Sequence, residues 1–254
     1  ALTVRNKRRQ DFQGVVDWRL AELDRLGVEI IYDHIAEQED ISALNPDVVI
    51  VATGGLPQMP PLEKGAELAV TSWDVLSGEV IPQGNVLLYD DNGTHSALST
   101  AEIIAQSGAD LEIVTPERTL GVEIGGVNHV PYARTFNETE TRVTLNQRVM
   151  SASKENDRLV VELGSDHSSH RSTREVDYLV VDHGTLPNAD LYLELKSLSC
   201  NQGEIDHNAL LNGQPQPCFE DEQESFALYR IGDAVANRNI HAAIYDALRL
   251  MKDI

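Results

Sequence analysis

Residues 85–115 read NVLLYDDNGTHSALSTAEIIAQSGADLEIVT. A short apolar run at 86–89 is followed by small and apolar side chains at helical spacing, and a second apolar run occupies 111–115. The inner face of the predicted helix carries Ala97, Ala101, Ile104 and Ala105, and Gly108 ends it. Because two buried strands joined by one helix run parallel, this stretch predicts a βαβ unit and places the chain in the α/β class.

The sequence before this unit predicts part of a second α/β unit. Apolar residues at helical spacing between 12 and 26 predict a helix that ends at Gly27, and residues 28–31 predict a short strand. Residues 47–52 (DVVIVA) form an apolar run that is typical of a parallel strand buried on both faces. This run ends in Thr53-Gly54-Gly55.

The sequence after residue 115 predicts further strands and a return to the first unit. Polar turns separate runs at 142–149, 158–163 and 176–182, which predicts a β-meander. A last strand at 226–231 leads into Gly232-Asp233, and a helix starts at about Ile240. We therefore expect two interleaved units, one formed by residues 1–80 plus 199–254 and an inserted one formed by residues 81–198.

The composition excludes several classes of partner. The chain has 41 acidic and 20 basic side chains and a formal net charge of −21, which argues against nucleic acid and anionic membranes as partners. No apolar run approaches the ~20 residues that span a bilayer, and no signal-peptide pattern opens the chain. Cys200 and Cys218 are too few for a four-cysteine metal site and predict no disulfide framework. We therefore expect a cytoplasmic protein without a metal site.

Three features together resemble a known family. They are Val51-Ala52-Thr53-Gly54-Gly55 after a buried strand, the inserted βαβ unit with Tyr89-Asp90-Asp91, and Gly232-Asp233-Ala234 before a helix. Their order resembles flavoproteins with two dinucleotide-binding units. More narrowly, the sequence from about Gly14 to Ile254 resembles the C-terminal region of the trimethylamine dehydrogenase and 2,4-dienoyl-CoA reductase family, in its branch of N-methylated-amine oxidoreductases.

The resemblance implies a Rossmann-like fold in which a truncated flavin-type unit carries an inserted NAD(P)-type βαβ unit plus the β-meander. Members of the family also hold FMN in a barrel and a 4Fe–4S cluster on cysteines, for which this chain has neither the length nor the residues. The family's first glycine-rich strand–turn–helix is also missing. We therefore expect this chain to be a region of a longer protein, and the barrel and iron–sulfur region of that protein to be its partner.

In the flavin-type unit the resemblance implies cofactor contacts at the ends of two strands, at Ala52, Thr53, Gly54, Gly232 and Asp233. Small residues after the first strand let the backbone approach a flavin nucleotide, and Asp233 meets the ribityl or pyrophosphate part. The alternatives are that Thr53-Gly54-Gly55 is only a bend and that Asp233 caps the following helix.

In the inserted unit the nucleotide loop should follow Tyr89, with Asp90, Asp91, Gly93 and Thr94 as candidate contacts. The positions of its three glycines read Asn92, Thr94 and Ala97, and two carboxylates stand at the end of the strand. Because the glycines permit the tight turn and the approach of the pyrophosphate, we expect a degenerate loop that binds NADH no tighter than about 1 mM.

Three functions remain open at this point. The first is a packing, docking or regulatory region of an FMN and iron–sulfur enzyme that oxidises or demethylates an N-methylated amine. The second is the NAD(P)H-binding domain of an enzyme like 2,4-dienoyl-CoA reductase, and the third is a non-catalytic binding module that kept only the fold. We expect no catalytic residue and no bound cofactor in this chain; FAD, ADP and NAD(P) are the candidate nucleotides, and a homo-oligomer is a further candidate assembly.

Overall fold

A computed structural model describes residues 7–217 and 226–252. Its α-helices are α1 Gln13–Arg25, α2 Gln38–Leu44, α3 Ser72–Ser77, α4 His95–Gln106, α5 Gly126–Glu138, α6 Asp190–Leu195, α7 His207–Asn212 and α8 Ile240–Leu250. Its strands are β1 Val48–Val51, β2 Gly55–Pro57, β3 Val70–Thr71, β4 Asn85–Asp90, β5 Asp110–Val114, β6 Arg142–Thr144, β7 Arg148–Glu155, β8 Arg158–Ser165, β9 Ser168–Val176, β10 Tyr178–Asp182, β11 Thr185–Pro187 and β12 Ala227–Arg230. Short 3₁₀ helices occupy Lys7–Phe12, Ala66–Leu68, Lys196–Leu198 and Gly232–Ala234.

The chain divides into two compact units. Unit 1 comprises residues 1–29 and 57–184, and unit 2 comprises residues 30–56 and 185–254. These bounds differ from the expected division because β3 pairs with β10 and so joins residues before 80 to the inserted unit. Each of the two units is built from two separate stretches of the chain, which alternate along the sequence.

Unit 1 is built on a five-stranded parallel sheet in the order β3-β10-β4-β5-β6. Alternate side chains of β4 point to opposite faces of this sheet. Val86 and Leu88 belong to a core cluster with α3, α4 and α5, whereas Leu87 and Tyr89 belong to one with the antiparallel sheet β7-β8-β9. Both faces of the parallel sheet are therefore covered, which explains the unbroken apolar run VLLY at 86–89.

The structure confirms a β-meander, the antiparallel sheet β7-β8-β9, but with other strands than predicted. Residues 142–144 and 178–182 are the parallel strands β6 and β10, and the third strand of the meander is β9, which occupies most of the predicted polar turn before residue 176. Strand β10 joins the parallel sheet because its apolar run (YLVVD) is buried between β3 and β4. Strand β9 belongs to the antiparallel sheet because it pairs with β8, although most of its side chains are exposed.

Unit 2 contains a two-stranded parallel sheet of β1 and β12, with Val48 opposite Ala227. Its core cluster consists of Val49, Val51, Tyr192, Leu195, Phe226 and Leu228. The strand predicted at 28–31 is wrong: these residues form no strand, and Val28 and Ile31 are exposed. Within the described residues this sheet consists of β1 and β12 alone, and residues 28–31 pair with neither strand.

Cys200 is disulfide-bonded. The small number of cysteines predicts no framework of several disulfides, whereas a single bond requires only that two sulfurs meet in space.

Candidate functional site

The candidate site of unit 1 lies where β4 and β10 end. Asp90 is the last residue of β4 and Asp182 the last residue of β10, and the two are paired across the parallel strands. In open α/β sheets ligands bind outside the carboxyl ends of the strands, so this edge is where a nucleotide loop belongs.

The loop between β4 and α4 is folded around Asp90. Asp90 Oδ1 accepts hydrogen bonds from the N–H of Asn92 (3.1 Å) and from the N–H of Gly93 (2.7 Å). Gly93 has a φ of +68°, and a Cβ there would lie 2.5 Å from Val122 Cγ2, so the turn favours glycine at this position. The N–H groups that would face a pyrophosphate thus face a side chain of the loop itself.

Asn92 and Thr94 are also bonded inside the loop. The amide Nδ2 of Asn92 donates to Thr94 Oγ1 and to Asp182 Oδ1, both at 3.0 Å. Thr94 is the N-cap of α4, and its Oγ1 accepts from the Ser96 N–H at 3.4 Å. The side chains that replace two family glycines therefore close the loop by hydrogen bonding to each other.

Asp91 points to a different set of partners. Its Oδ1 lies 3.5 Å from Arg148 Nη1, and its Oδ2 lies 2.7 Å from His183 Nδ1. His183 directly follows β10, so these contacts tie β4, β7 and β10 together. The carboxylate of Asp91 thus faces Arg148 and His183.

Burial governs the ionisation of Asp90. Its side chain is 0% exposed. Desolvation, together with the charges of Asp182 and Asp91, raises the pKa of Asp90 to about 7, and the two backbone N–H donors only partly oppose this.

The candidate site of unit 2 lies where β1 and β12 end side by side, because Val51 pairs with Arg230. Thr53 donates its hydroxyl hydrogen to the carbonyl of Asn188, and the Asn188 N–H donates to the Gly54 carbonyl at 2.9 Å. Ala52 and Thr53 are exposed, and Gly54 has a φ of +73°. The structure therefore holds Ala52, Thr53 and Gly54 in a bend fixed by the segment after β11.

Gly232 and Asp233 are brought to the same edge of this sheet. The Gly232 N–H donates to Asp246 Oδ2 at 3.1 Å, and Asp233 Oδ1 accepts from the Arg238 N–H at 3.3 Å. Asp233 does not cap the following helix: Asn239 is the N-cap of α8, and its Oδ1 accepts from the Ala242 N–H. In this turn, as in the loop after β4, a backbone N–H group already donates to a carboxyl group of the same unit.

Sequence reasoning missed three residues that close these loops: Asp182, His183 as a partner of Asp91, and Asp246. Asp182 carried a readable signal, because LVVD at 179–182 repeats the pattern of LLYD at 87–90. The other two depended on contacts between distant segments. Among residues 7–217 and 226–252 no cluster of metal-ligating side chains is present.

Comparison with known proteins confirms the resemblance seen in the sequence. The chain is 46% identical over 253 residues to a probable N-methylproline demethylase of Rhizobium meliloti, and 37% identical over 263 residues to an N,N-dimethylglycine/sarcosine dehydrogenase of Chromohalobacter salexigens. Both relatives are named for N-methylated substrates. The chain thus resembles a region of the trimethylamine dehydrogenase and 2,4-dienoyl-CoA reductase family.

The match covers all or nearly all of this chain but a minor part of its relatives. The aligned regions are 100% and 99% of this chain, and 37% and 38% of the two relatives. No protein-family model matches the chain.

A solved structure confirms the Rossmann-like fold. The 6-hydroxypseudooxynicotine amine oxidase of Pseudomonas geniculata superposes with a TM-score of 0.79 at 21% identity, over 99% of this chain and 35% of that one. In the part of the chain that the structure describes, no helix has both the length and the apolar character that a bilayer crossing requires.

Proposed function

We propose that this chain is the nucleotide-binding-like region of a cytoplasmic oxidoreductase that oxidises or demethylates an N-methylated amine. In this proposal FMN and a 4Fe–4S cluster belong to other segments of the whole enzyme. The region itself packs against those segments, docks a partner or regulates, and contributes no catalytic residue.

The observation that carries the proposal is the similarity over the whole chain to two oxidoreductases named for N-methylated substrates. Identities of 46% and 37% extend across both units rather than over one motif. The relatives are also more than twice as long as the aligned region, which supports a role as one part of a larger enzyme.

The loops support a region without its own nucleotide. A pyrophosphate needs several backbone N–H donors at close range. In unit 1 the N–H groups of Asn92 and Gly93 are taken by Asp90, and in unit 2 the N–H of Gly232 is taken by Asp246. The backbone donors of these loops therefore do not fit the pyrophosphate of a dinucleotide.

The surface of α1 supports a docking role. No residue of this 13-residue helix is buried. Trp18 within the helix is 62% exposed, and Phe12 and Leu26, the residues that flank it, are 52% and 63% exposed. Large apolar side chains grouped on one element mark an interaction surface, and we assign this one to the remainder of the enzyme.

Two other functions have less support. Hydride delivery to an enoyl thioester needs a working nucleotide loop, and the loop around Asp90 is closed by its own side chains. The third function, a self-standing binding module, does not account for the similarity of the whole chain to one region of much longer oxidoreductases.

The test is to express the complete polypeptide encoded by the gene and assay it with N-methylproline, dimethylglycine and sarcosine. We expect amine-dependent reduction of an artificial electron acceptor and release of formaldehyde. The control is the present chain alone, which we expect to turn over no amine. Reduction of enoyl thioesters by NADPH, without amine turnover, would instead establish the second function.

A further inference from the structure

Two aspartates are buried at the carboxyl ends of two neighbouring inner strands of the parallel sheet in unit 1. Asp90 and Asp182 end neighbouring strands and are directly paired in the register of β4 and β10. Their exposed fractions are 0% and 4%. Like charges at adjacent buried positions repel strongly, and a pair of this kind rarely ionises fully at neutral pH.

The hydrogen bonds around the pair leave one oxygen atom without a partner. Asp182 Oδ2 accepts from Ser72 Oγ at 2.7 Å, and Asp182 Oδ1 accepts from Asn92 Nδ2 at 3.0 Å. Asp90 Oδ1 accepts from two backbone N–H groups. Asp90 Oδ2 is buried and has no hydrogen-bond partner.

The charged groups around the pair do not neutralise it. Arg148 of β7 is engaged by Asp91 and by Asp166, which Nε contacts at 2.7 Å, and His183 is engaged by Asp91. Tyr89, next to Asp90, is an ionisable group whose pKa is raised by burial and by Asp91, so it is neutral here. Within the described residues neither Asp90 nor Asp182 forms an ion pair.

We propose that Asp90 holds a proton on Oδ2 in the folded protein, beside the buried side chain of Asp182. A protonated Oδ2 is a donor rather than a desolvated acceptor, and its protonation removes one of two neighbouring buried charges. The end of β4 is then a proton-binding site.

The site makes the stability of unit 1 depend on pH. The pKa of Asp90 is raised from 3.8 to about 7 on folding. Between these values the folded state keeps a proton that the unfolded state has lost, so the free energy of unfolding falls as the pH rises through this range and levels off above it.

Infrared spectroscopy of the whole chain tests the proposal directly. At about pH 6 exposed carboxyl groups are ionised, so a carbonyl stretch of a protonated carboxylic acid reports a buried one. We expect this band in the native chain, and its loss in the Asp90→Asn variant. The Asp91→Asn variant is the control and should keep the band.

A second variant keeps the test decisive where Asp90→Asn does not fold. Asp182→Asn removes the neighbouring charge, and we expect the band to be lost at a lower pH than in the native chain. In thermal unfolding, the stability of Asp90→Asn relative to the native chain should rise from about pH 5 to about pH 8. Absence of the band in the native chain, or a band unchanged in both Asp90→Asn and Asp182→Asn, would overturn the proposal.

Discussion

The amide of Gly93 donates to Asp90 and the amide of Gly232 donates to Asp246, so in each of two strand-to-helix turns a carboxyl group of the chain accepts from the backbone. At the residue scale this changes the reason for expecting weak nucleotide binding. The sequence argument took Asp90 and Asp91 as free charges beside a phosphate. In the structure Asp90 is buried with a raised pKa and Asp91 is paired with Arg148, so occupied donors, rather than repulsion, close the loop.

We predict that NADH and NADPH bind this chain with dissociation constants no tighter than about 1 mM, because the N–H groups of Asn92 and Gly93 would first have to leave Asp90. Calorimetric titration measures this. The Asp91→Asn variant should bind equally weakly, since this carboxylate faces Arg148 and His183. A low-micromolar constant for the native chain would contradict the argument and revive hydride delivery.

At the scale of elements, a buried glutamate joins three strands of unit 1. Glu112 of β5 accepts from Arg142 Nη1 (3.0 Å) and Thr144 Oγ1 (2.7 Å) of β6, and from Arg174 Nε (2.8 Å) of β9. Its side chain is 7% exposed. This network fixes β6 on the parallel sheet rather than in the predicted meander.

We predict that Glu112→Gln lowers the free energy of unfolding by about 2 kcal/mol, because charge-assisted hydrogen bonds of this kind contribute ~1.5–3 kcal/mol. Burial pushes the pKa of Glu112 upward, but Arg174, Thr144 and Arg142 outweigh it and hold this pKa below its usual 4.5. The contribution is therefore present above that pH and is lost as the pH falls below it.

Chemical denaturation at neutral and acidic pH measures this effect. The matched control is Glu162→Gln on β8, whose partner Arg171 is 45% exposed and whose loss should cost less than 1 kcal/mol. Equal costs for the two variants would contradict the structural role of Glu112.

Helices α1 and α4 have nearly the same length but opposite environments. Eight residues of α4 are buried, and none of α1 is. We predict that amide hydrogen exchange in α1 is much faster than in α4, because a helix without buried contacts opens locally at little cost. Mass spectrometry of exchanged peptides measures both helices in one experiment. Equally slow exchange in α1 and α4 of a monomer would show that α1 needs no partner surface.

At the scale of the whole molecule, the chain combines a net charge of −21 with loops that bind their own carboxylates. The charge disfavours nucleic acid and anionic membranes as partners. The apolar surface of α1 therefore matches a protein partner better than a polyanion, in agreement with the proposed place inside a longer enzyme.

We predict that the isolated chain purifies without colour. The bend at Thr53 and Gly54 and the turn at Gly232, the two segments that the resemblance assigns to a flavin nucleotide, are hydrogen-bonded within the unit. Visible absorbance of the purified chain, before and after incubation with FAD, measures this. A stoichiometric flavin spectrum that survives gel filtration would refute the proposal that the cofactors belong to other segments.

The sequence by itself determined the elements whose residues are neighbours in the chain. The strands at 47–52, 86–89, 111–115 and 226–231 and the helices α4 and α8 follow from local periodicity and are confirmed by the structure, as is the Rossmann-like class. The missing glycines after Tyr89 were equally readable, because the shape of a tight turn depends on its own residues.

Only the tertiary structure decided which segments meet. It placed residues 142–144 and 178–182 in the parallel sheet, left 28–31 without a partner strand, and brought Asp182 beside Asp90 from 92 positions away in the chain. Local patterns encode burial and turn geometry, but strand order and the pairing of distant side chains depend on which surfaces fit together across the fold. The buried environment in which we propose that Asp90 holds a proton exists for that reason alone.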